Sequence, residues 1–270
     1  MLLAPLLFVI LALPPKGSCE DAMGLSDDIR DIEISDIQCN RPNADYFGYV
    51  EGSIPILISA PHGAKHYRAS ENRWKAEDAY TSSWAIKLGR LTGAHVLYVK
   101  NKTDEDPNND LRSRYKDFLG KVVKEKGIRF VIDLHGADWD EPFKIDVGIR
   151  DDRAERSSCP TFKPIIEGAF RDFDAGLFNK RFSARKPCTI TSFARNTLGI
   201  EAAQFEINAR YRLVQRGSNP DPDADEAAVL DLMGRFQEMV AAIDRKIAAD
   251  AAEKARGLSM RHDAHRMSGQ

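Results

Sequence analysis

An apolar run at residues 130–134 constrains the fold more than any other stretch of the chain. Phe130, Val131 and Ile132 are three large apolar side chains in a row, which is typical of a strand buried on both faces of a parallel sheet. The run ends at His135, followed by a glycine. Because open α/β sheets bind ligands beyond the carboxyl ends of their parallel strands, His135 lies where a functional site is expected.

Two further strand ends have the same form. The apolar segment 54–59 runs into His62, and the segment 202–208 carries Glu206 among apolar neighbours. Taken singly, each residue has an ordinary structural explanation, as a core or helix-capping histidine or a salt-bridged glutamate. Because the pattern recurs at three strand ends that are distant in sequence, it favours one metal site with a general base.

The segments between these strands predict the overall architecture. Helical spacing of apolar residues indicates helices at 76–91 and 111–126, with a strand at 94–99 between them, and a long Ala-rich helix at 223–254 that covers one face of the sheet. Strands that alternate with helices of this length form right-handed crossovers. We therefore expect an α/β fold with three αβα layers and a mostly parallel or mixed central sheet.

Weaker patterns suggest the remaining elements. Residues 20–50 are acidic and mixed, and we expect them to pack along the sheet edge with a strand only near its end. The turn-rich segment 100–110 predicts a loop over the site. Short strands are predicted at 46–50, 144–149 and 189–193, and a helix at 162–173.

Composition limits the possible partners. The 270 residues include 39 Lys and Arg and 41 Asp and Glu, so the formal net charge is -2. With no excess of basic charge, no global field attracts nucleic acid or an anionic membrane, and we expect no nucleic-acid partner. The length fits a single catalytic domain, predicted over 19–256, followed by a polar tail at 257–270 that is predicted to be disordered.

The first residues have the character of an export signal. Residues 2–13 form an apolar run that is too short to span a bilayer, and Pro14, Pro15 and small residues follow it. We therefore predict a signal peptide over 1–18, a periplasmic or extracellular location and no stable membrane span, although no basic residue precedes the run. Cys19 offers a lipid anchor as an alternative, but Lys16 fits a lipoprotein signal poorly.

The cysteines allow at most one disulfide after such cleavage. Cys39, Cys159 and Cys188 are retained, and three is an odd number. Cys159 and Cys188 bracket one insertion-like segment, so they are the preferred pair. No CxxC metal-binding motif is present.

Five motifs along the chain resemble those of the N-formylglutamate amidohydrolase family, which is related in fold to the zinc carboxypeptidases and aspartoacylases. Each motif is weak alone, but the five occur in the family's order over residues 54–212. They are Pro61-His62-Gly63, Asp78-Ala79-Tyr80-Thr81, Asp106-Pro107-Asn108, Ile132-Asp133-Leu134-His135-Gly136 and Gln204-Phe205-Glu206-Ile207. The resemblance implies a fold of the zinc-exopeptidase type.

The resemblance also assigns roles at the site. It implies that His62 and His135 bind zinc and that Glu206 is the catalytic carboxylate. Asp78 matches the family's acidic ligand, but a carboxypeptidase pattern would instead place a Glu three residues after the first His, where this chain has Lys65. Two other acids, Glu71 and Glu77, therefore stay open as alternatives to Asp78.

The substrate-binding residues are where the chain departs from the family. An Asn-Arg pair that contacts the substrate carboxylate in carboxypeptidase-like sites is here Asn108-Asn109. The anion-binding role would then pass to another arginine, either Arg112 or Arg114 in the following segment, or Arg210 or Arg212 after the catalytic Glu. We predict Asn108, Arg112 and Arg210 as the substrate-binding set.

These features predict a zinc-dependent hydrolase that cleaves an amide bond of an N-acyl amino acid or a short peptide. A carboxypeptidase-like peptidase and a catalytically inert ligand-binding domain on the same fold are the alternatives, and retention of both histidines and Glu206 argues against the inert domain. A nucleotide-binding α/β protein lacks support, because no Gly-rich phosphate loop follows an early strand.

Overall fold

The computed structural model describes residues 19–37, 45–151, 153, 155–214 and 225–267. The predicted signal peptide and Cys39 lie outside these residues.

Within this part of the chain, eight strands form two sheets. The strands are β1 (Phe47–Val50), β2 (Ile54–Ala60), β3 (His66–Arg68), β4 (Arg73–Lys75), β5 (Ala94–Val99), β6 (Phe130–Ala137), β7 (Ile145–Gly148) and β8 (Glu201–Asn208). The main sheet has the order β1-β5-β2-β6-β8-β7, and β3 and β4 form a separate antiparallel pair. In the main sheet β5, β2, β6 and β8 are parallel, and the edge strands β1 and β7 are antiparallel. The predicted mixed α/β sheet is confirmed.

Helices cover both faces of this sheet. They are α1 (Cys19–Asp36), α2 (Thr81–Thr92), α3 (Arg114–Lys126), α4 (Lys163–Phe170), α5 (Ile190–Asn196) and α6 (Glu226–Met267). Side chains alternate between faces along a strand. Ile132 of β6 packs in the cluster that includes α1, α2, α4 and α6, whereas its neighbour Val131 packs in the cluster that includes α3 and α5. The predicted three-layer αβα arrangement is therefore confirmed.

An aromatic cluster fixes α6 on the sheet, as the sequence predicted for the long helix. Phe236 of α6 lies with its ring centroid 5.0 Å from that of Phe170 in α4 and 5.2 Å from that of Phe205 in β8. Trp84 of α2 meets Phe236 edge-on at 6.3 Å, and all four rings are fully buried. Three helices and the central sheet thus share one packing centre.

Two elements were not predicted. The acidic segment after residue 18 forms α1, whose Leu25, Ile29 and Ile32 pack in the core although the helix is polar overall. The β3–β4 hairpin follows the His62 turn. Both elements depend on contacts with distant parts of the chain, which local apolar periodicity does not report.

The helix predicted at 76–91 begins later, at Thr81. Tyr80 has a left-handed backbone with φ of 67°, which cannot belong to a right-handed helix, and the Thr81 amide donates to the Asp78 carbonyl. Asp78 therefore lies in the loop before α2 and not in its first turn.

The strand predicted at 189–193 is wrong. Residues 190–196 form α5, and Thr189 is its N-cap, since its side chain accepts from the Ser192 amide at 3.1 Å. The N-cap hydrogen bond of this Thr-x-x-Ser turn favours a helix over the predicted strand.

The predicted disulfide between Cys159 and Cys188 is also wrong, because both thiols are free and buried. Cys159 packs in the cluster on the α4 and α6 face, where burial raises the pKa of its thiol to about 12. The Cys188 carbonyl accepts from Lys116 of α3, the helix on the opposite face. The sheet therefore separates the two cysteines.

The C-terminal prediction needs correction as well. Helix α6 continues to Met267, so residues 257–267 are helical and not disordered, while 268–270 lie outside the description. Ala, Glu, Lys and Arg dominate residues 248–256 and favour continued helix. No helix in the described part of the chain is long and apolar enough to cross a membrane.

The capping role of Thr189 can be tested by substitution. We expect Thr189→Val to reduce the free energy of unfolding by about 1 kcal/mol, because the cap to Ser192 is lost, while Thr189→Ser keeps the hydroxyl and most of the stability. Urea unfolding of both variants measures the difference. A Val variant as stable as the wild type would instead support the strand.

Candidate metal centre

His62 lies in the turn that follows β2. A Cβ on the next residue, Gly63, would lie 1.7 Å from Ser82 Oγ and 2.5 Å from the Val99 carbonyl oxygen. Only glycine therefore lets this turn pack against α2 and β5. The close approach holds the His62 backbone at the carboxyl edge of the sheet, where the sequence predicted it.

Asp78 is anchored to both neighbouring strand ends. Its amide donates to the His62 carbonyl at 2.8 Å, and its carboxylate Oδ2 accepts from the Gly136 amide at 3.1 Å. The left-handed Tyr80 then turns the chain into α2. Asp78 therefore reaches the site from a loop that is tied to β2 on one side and to β6 on the other.

His135 and Glu206 are brought together by strand register. The parallel pairing of β6 with β8 places His135 opposite Glu206, and two residues earlier it places Asp133 opposite Gln204. Residues opposite each other in register project to the same face of a sheet. Two residues that are 71 positions apart in sequence thus face the same cavity.

The potential ligand atoms converge at the distances that a tetrahedral metal requires. Asp78 Oδ2 lies 3.4 Å from His62 Nδ1 and 3.3 Å from His135 Nδ1. Metal–ligand bonds of 2.0–2.1 Å in a tetrahedral site put neighbouring ligand atoms about 3.3–3.4 Å apart. His62, Asp78 and His135 therefore form a group that could hold a metal ion.

Each histidine has a carboxylate at its other ring nitrogen. His62 Nε2 donates to Asp106 Oδ1 at 2.8 Å, and His135 Nε2 lies 3.3 Å from Asp133 Oδ2. Both carboxylates are fully buried. The hydrogen bond to Asp106 fixes the His62 tautomer that leaves Nδ1 free to bind a metal, and Asp133 lies where it can do the same for His135.

Hydrogen bonds from distant elements hold these supporting carboxylates. Asp133 accepts from Ser59 of β2 at 3.3 Å and from Thr191 of α5 at 3.5 Å. Asp106 accepts from Arg68 Nε at 2.6 Å and from the Asn108 amide at 3.1 Å. The sequence indicated that Asp133 supports the site and does not bind the metal. It did not assign Asp106 a role, although Asp106-Pro107-Asn108 was among the recognised motifs.

The electrostatics of the cluster favour positive charge between the carboxylates. Burial opposes the charged imidazole of His62, yet Asp106 and Asp78 hold its pKa above the ordinary value. Burial likewise opposes a charged His135, but Asp133 and Asp78 hold its pKa well above that value. Although burial alone would raise it, the pKa of Asp78 is well below its usual range because both histidines lie beside it. A bound divalent cation would neutralise the same carboxylates.

Glu206 is a buried carboxylate next to the ligand group. Gln204 Nε2 donates to its Oε1 at 2.7 Å. Burial raises the pKa of Glu206 to about 7, against the opposing effect of His135. A carboxylate with a pKa near neutrality can both accept and return a proton at physiological pH.

A second group, formed by His62, His66 and Asp106, also brings ligand atoms together. The rings of His62 and His66 stack with centroids 4.1 Å apart. However, Arg68 already donates to Asp106 Oδ2, and His62 Nε2 lies 2.8 Å from Asp106 Oδ1. That distance is shorter than the spacing of about 3.3–3.4 Å between neighbouring ligand atoms of one tetrahedral metal. The positive charge of Arg68 disfavours a cation here, so the group with Asp78 and His135 is the better metal site.

A cavity of about 670 Å³ opens over these residues. Its wall includes His62, Asp78, His135, Glu206 and Asn108. The basic residues that line it come from the β3–β4 region and from a segment before α5; they are Arg68, Arg73, Lys75, Arg181, Arg185 and Lys186.

The fold of this chain matches solved structures of hydrolases. The structure of N-formylglutamate amidohydrolase from Ralstonia eutropha JMP134 superposes with a TM-score of 0.52 and 12% identity, over 75% of this chain and 99% of that one. This chain has the same fold. The Atu2144 gene product of Agrobacterium tumefaciens matches equally, with a TM-score of 0.52 and 11% identity over 78% of this chain and 100% of that one.

A metallo-carboxypeptidase from Pseudomonas aeruginosa gives a lower TM-score of 0.44 at 14% identity, over 84% of this chain and 68% of that one. No protein-family model matches the sequence, and no curated protein does. At these identities the likeness to the amidohydrolase structure concerns the fold alone.

Some of the predicted site residues lie at the metal centre and others do not. His62, Asp78, His135 and Glu206 lie together, as expected. Of the alternative acids, Glu71 is exposed and pairs with Arg68 and Arg73, and Glu77 lines the cavity outside the ligand group.

The predicted substrate-binding arginines are not at the cavity. Arg112 and Arg210 are exposed and absent from its wall, because one lies before α3 and the other in the turn after β8. Arg212 is buried and donates to the carbonyls of Ile207 and Ala137, so it supports the sheet edge. Asn108 does line the cavity, and its Oδ1 accepts from the Ile190 amide at 2.7 Å.

Metal retention should distinguish the two ligand groups. We expect His135→Ala and Asp78→Ala each to lose bound metal, because each removes one of three protein ligands. His66→Ala should retain it, since His66 belongs only to the group that Arg68 opposes. Metal content of the purified variants, measured with their melting temperatures, provides the comparison. Loss of metal from His66→Ala together with its retention in His135→Ala would reverse the assignment.

Proposed function

We propose that the protein is a zinc-dependent amidohydrolase that cleaves an amide bond of an N-acyl amino acid or a short peptide. The observation that carries the proposal is the convergence of His62 Nδ1, His135 Nδ1 and Asp78 Oδ2 in a cavity that also contains buried Glu206.

The donor set supports zinc in particular. Two imidazoles and one carboxylate leave a fourth tetrahedral position open, which is typical of catalytic and not of structural zinc sites. His62, Asp78 and His135 would hold the ion, and Asp106 and Asp133 would orient the two rings. When bound, zinc lowers the pKa of a water ligand to about 7 and polarises a carbonyl oxygen.

Glu206 supplies the proton transfers. It faces the same cavity as the ligands, and its raised pKa lets it accept a proton from the attacking water near neutral pH. The hydrogen bond from Gln204 fixes one carboxylate oxygen, which leaves the other for this role. Glu206 would then return the proton to the leaving nitrogen of the cleaved amide.

The cavity wall favours a substrate with a carboxylate. Arg181, Arg185 and Lys186 line it on the side that leads to α5, and guanidinium groups bind carboxylates through paired hydrogen bonds. Arg181 is paired with Glu141 at 3.1 Å, whereas Arg185 and Lys186 have no ion pair with an acid in the described residues. These two residues replace the predicted Arg112 and Arg210 as candidates for binding the substrate.

Glu206→Gln tests the mechanism most sharply. The variant should keep its metal and its fold, because Glu206 is outside the ligand group, while kcat falls by about 100 to 10,000-fold, the usual contribution of a positioned acid or base. Amide hydrolysis of N-acyl amino acids, bound zinc and melting temperature should be measured on one preparation.

A matched control is Glu77→Gln, which removes a carboxylate from the wall of the same cavity and should leave turnover near normal. Full zinc with unchanged turnover in Glu206→Gln would refute the role of Glu206. Loss of zinc from Glu206→Gln would instead identify Glu206 as a metal ligand.

The two supporting carboxylates should matter for metal affinity. We expect Asp106→Asn and Asp133→Asn each to weaken metal binding by about 10 to 100-fold, because the histidine rings lose their charged partners. Competition with a chromogenic chelator measures the affinity. Exposed Asp104→Asn, two residues from Asp106, is the control and should bind metal as the wild type does. Equal affinities in all three variants would contradict the supporting role.

A further inference from the structure

A second cavity, of about 470 Å³, lies outside the metal centre. Four arginines dominate its wall, which consists of Arg150, Asp151, Glu155, Arg156, Ser157, Arg185, Arg195 and Asn196. These residues come from the segment after β7, from the segment before α5 and from the last turn of α5. Residues distant in sequence therefore bring positive charge to one concave site, which is hereafter called the arginine cavity.

Among the described residues of its wall, the arginine cavity has four arginines but only two acids, Asp151 and Glu155. Asp151 is held by Arg153, which lies outside the wall, through contacts of 3.1 Å and 2.9 Å. Arg156 and Arg195 form no ion pair with an acidic side chain in the described part of the chain. Since like charges that are close together repel, an anion in this cavity would relieve the repulsion.

The arginines are positioned by specific hydrogen bonds. Arg150 has a left-handed backbone with φ of 69°, and its carbonyl accepts from Arg185 Nε at 2.6 Å. Arg150 Nη1 donates to Asn196 Oδ1 at 2.8 Å. Each guanidinium has five N–H donors, so both side chains are held in place and keep donors available for a ligand.

Arg185 also connects the arginine cavity with the metal centre, because it lines both cavities. A ligand that passes Arg185 would reach from the arginine cavity into the space above His135 and Glu206. A single amino acid would be too short to occupy two cavities of about 470 Å³ and 670 Å³.

We propose that the arginine cavity is a distal subsite that binds a side-chain or terminal carboxylate of an acidic peptide, while the scissile amide of that peptide lies at the metal centre. This inference rests on the proposed hydrolase function. It makes the preferred substrate a peptide with several carboxylates, longer than one N-acyl amino acid.

The test compares a short and a long substrate, N-acetylglutamate and N-acetyl-triglutamate. Arg156→Gln and Arg195→Gln should each lower kcat/KM for the long substrate by about 10-fold or more, because each removes a charged hydrogen-bond donor, and should leave the short substrate unchanged. Exposed Arg171→Gln, which removes an arginine outside both cavities, is the control and should affect neither substrate.

Calorimetric binding of triglutamate to the purified wild-type protein and the same variants provides a readout that does not need turnover. Weaker binding of triglutamate in Arg156→Gln and Arg195→Gln, but not in Arg171→Gln, supports the subsite whether or not the peptide is cleaved. If neither substrate is cleaved, only the proposed hydrolase function is refuted. Equal binding in all variants, or equal losses of kcat/KM for the short and the long substrate, would overturn the inference.

Discussion

The parallel pairing of β6 between β2 and β8 is the constraint on which the site depends. It brings the carboxyl ends of three strands to one edge, so His62, His135 and Glu206 meet although they are distant in sequence. A shift of one residue in the β6–β8 register would turn Glu206 away from His135. The apolar side chains that bury both faces of β6 therefore determine the geometry of the candidate metal centre as well as the fold.

The strand ends could be predicted from the sequence because the signal there is local. Continuous apolar runs identify β2, β6 and β8, and a histidine or an acid at the end of each run stands out against them. The resemblance predicted Asp78 as the acidic ligand, but it did not predict the loop conformation that brings Asp78 to the site. Its carboxylate reaches the site because a left-handed Tyr80 delays the start of α2, and no sequence pattern indicated that backbone.

Residues that act through tertiary contacts could not be predicted in the same way. Asp106 supports His62 from a loop 44 positions away, and His66 stacks on His62 from a hairpin that has no apolar periodicity. The segment predicted as a strand at 189–193 forms helix α5, which is stabilised by the Thr189 cap and by the hydrogen bond from Thr191 to Asp133. The predicted Arg112 and Arg210 lie close to the motifs in sequence, whereas the fold brings basic residues to the cavity from the β3–β4 region and from the segment at 181–186.

We propose that His62, Asp78 and His135 bind one metal ion with an open fourth position. Anomalous diffraction at the zinc edge, from crystals of the zinc-loaded protein, tests it most directly. We expect one strong peak, about 2.0–2.1 Å from His62 Nδ1, His135 Nδ1 and a carboxylate oxygen of Asp78. A peak between His66 and Asp106, or no peak at the edge of the sheet, would contradict it.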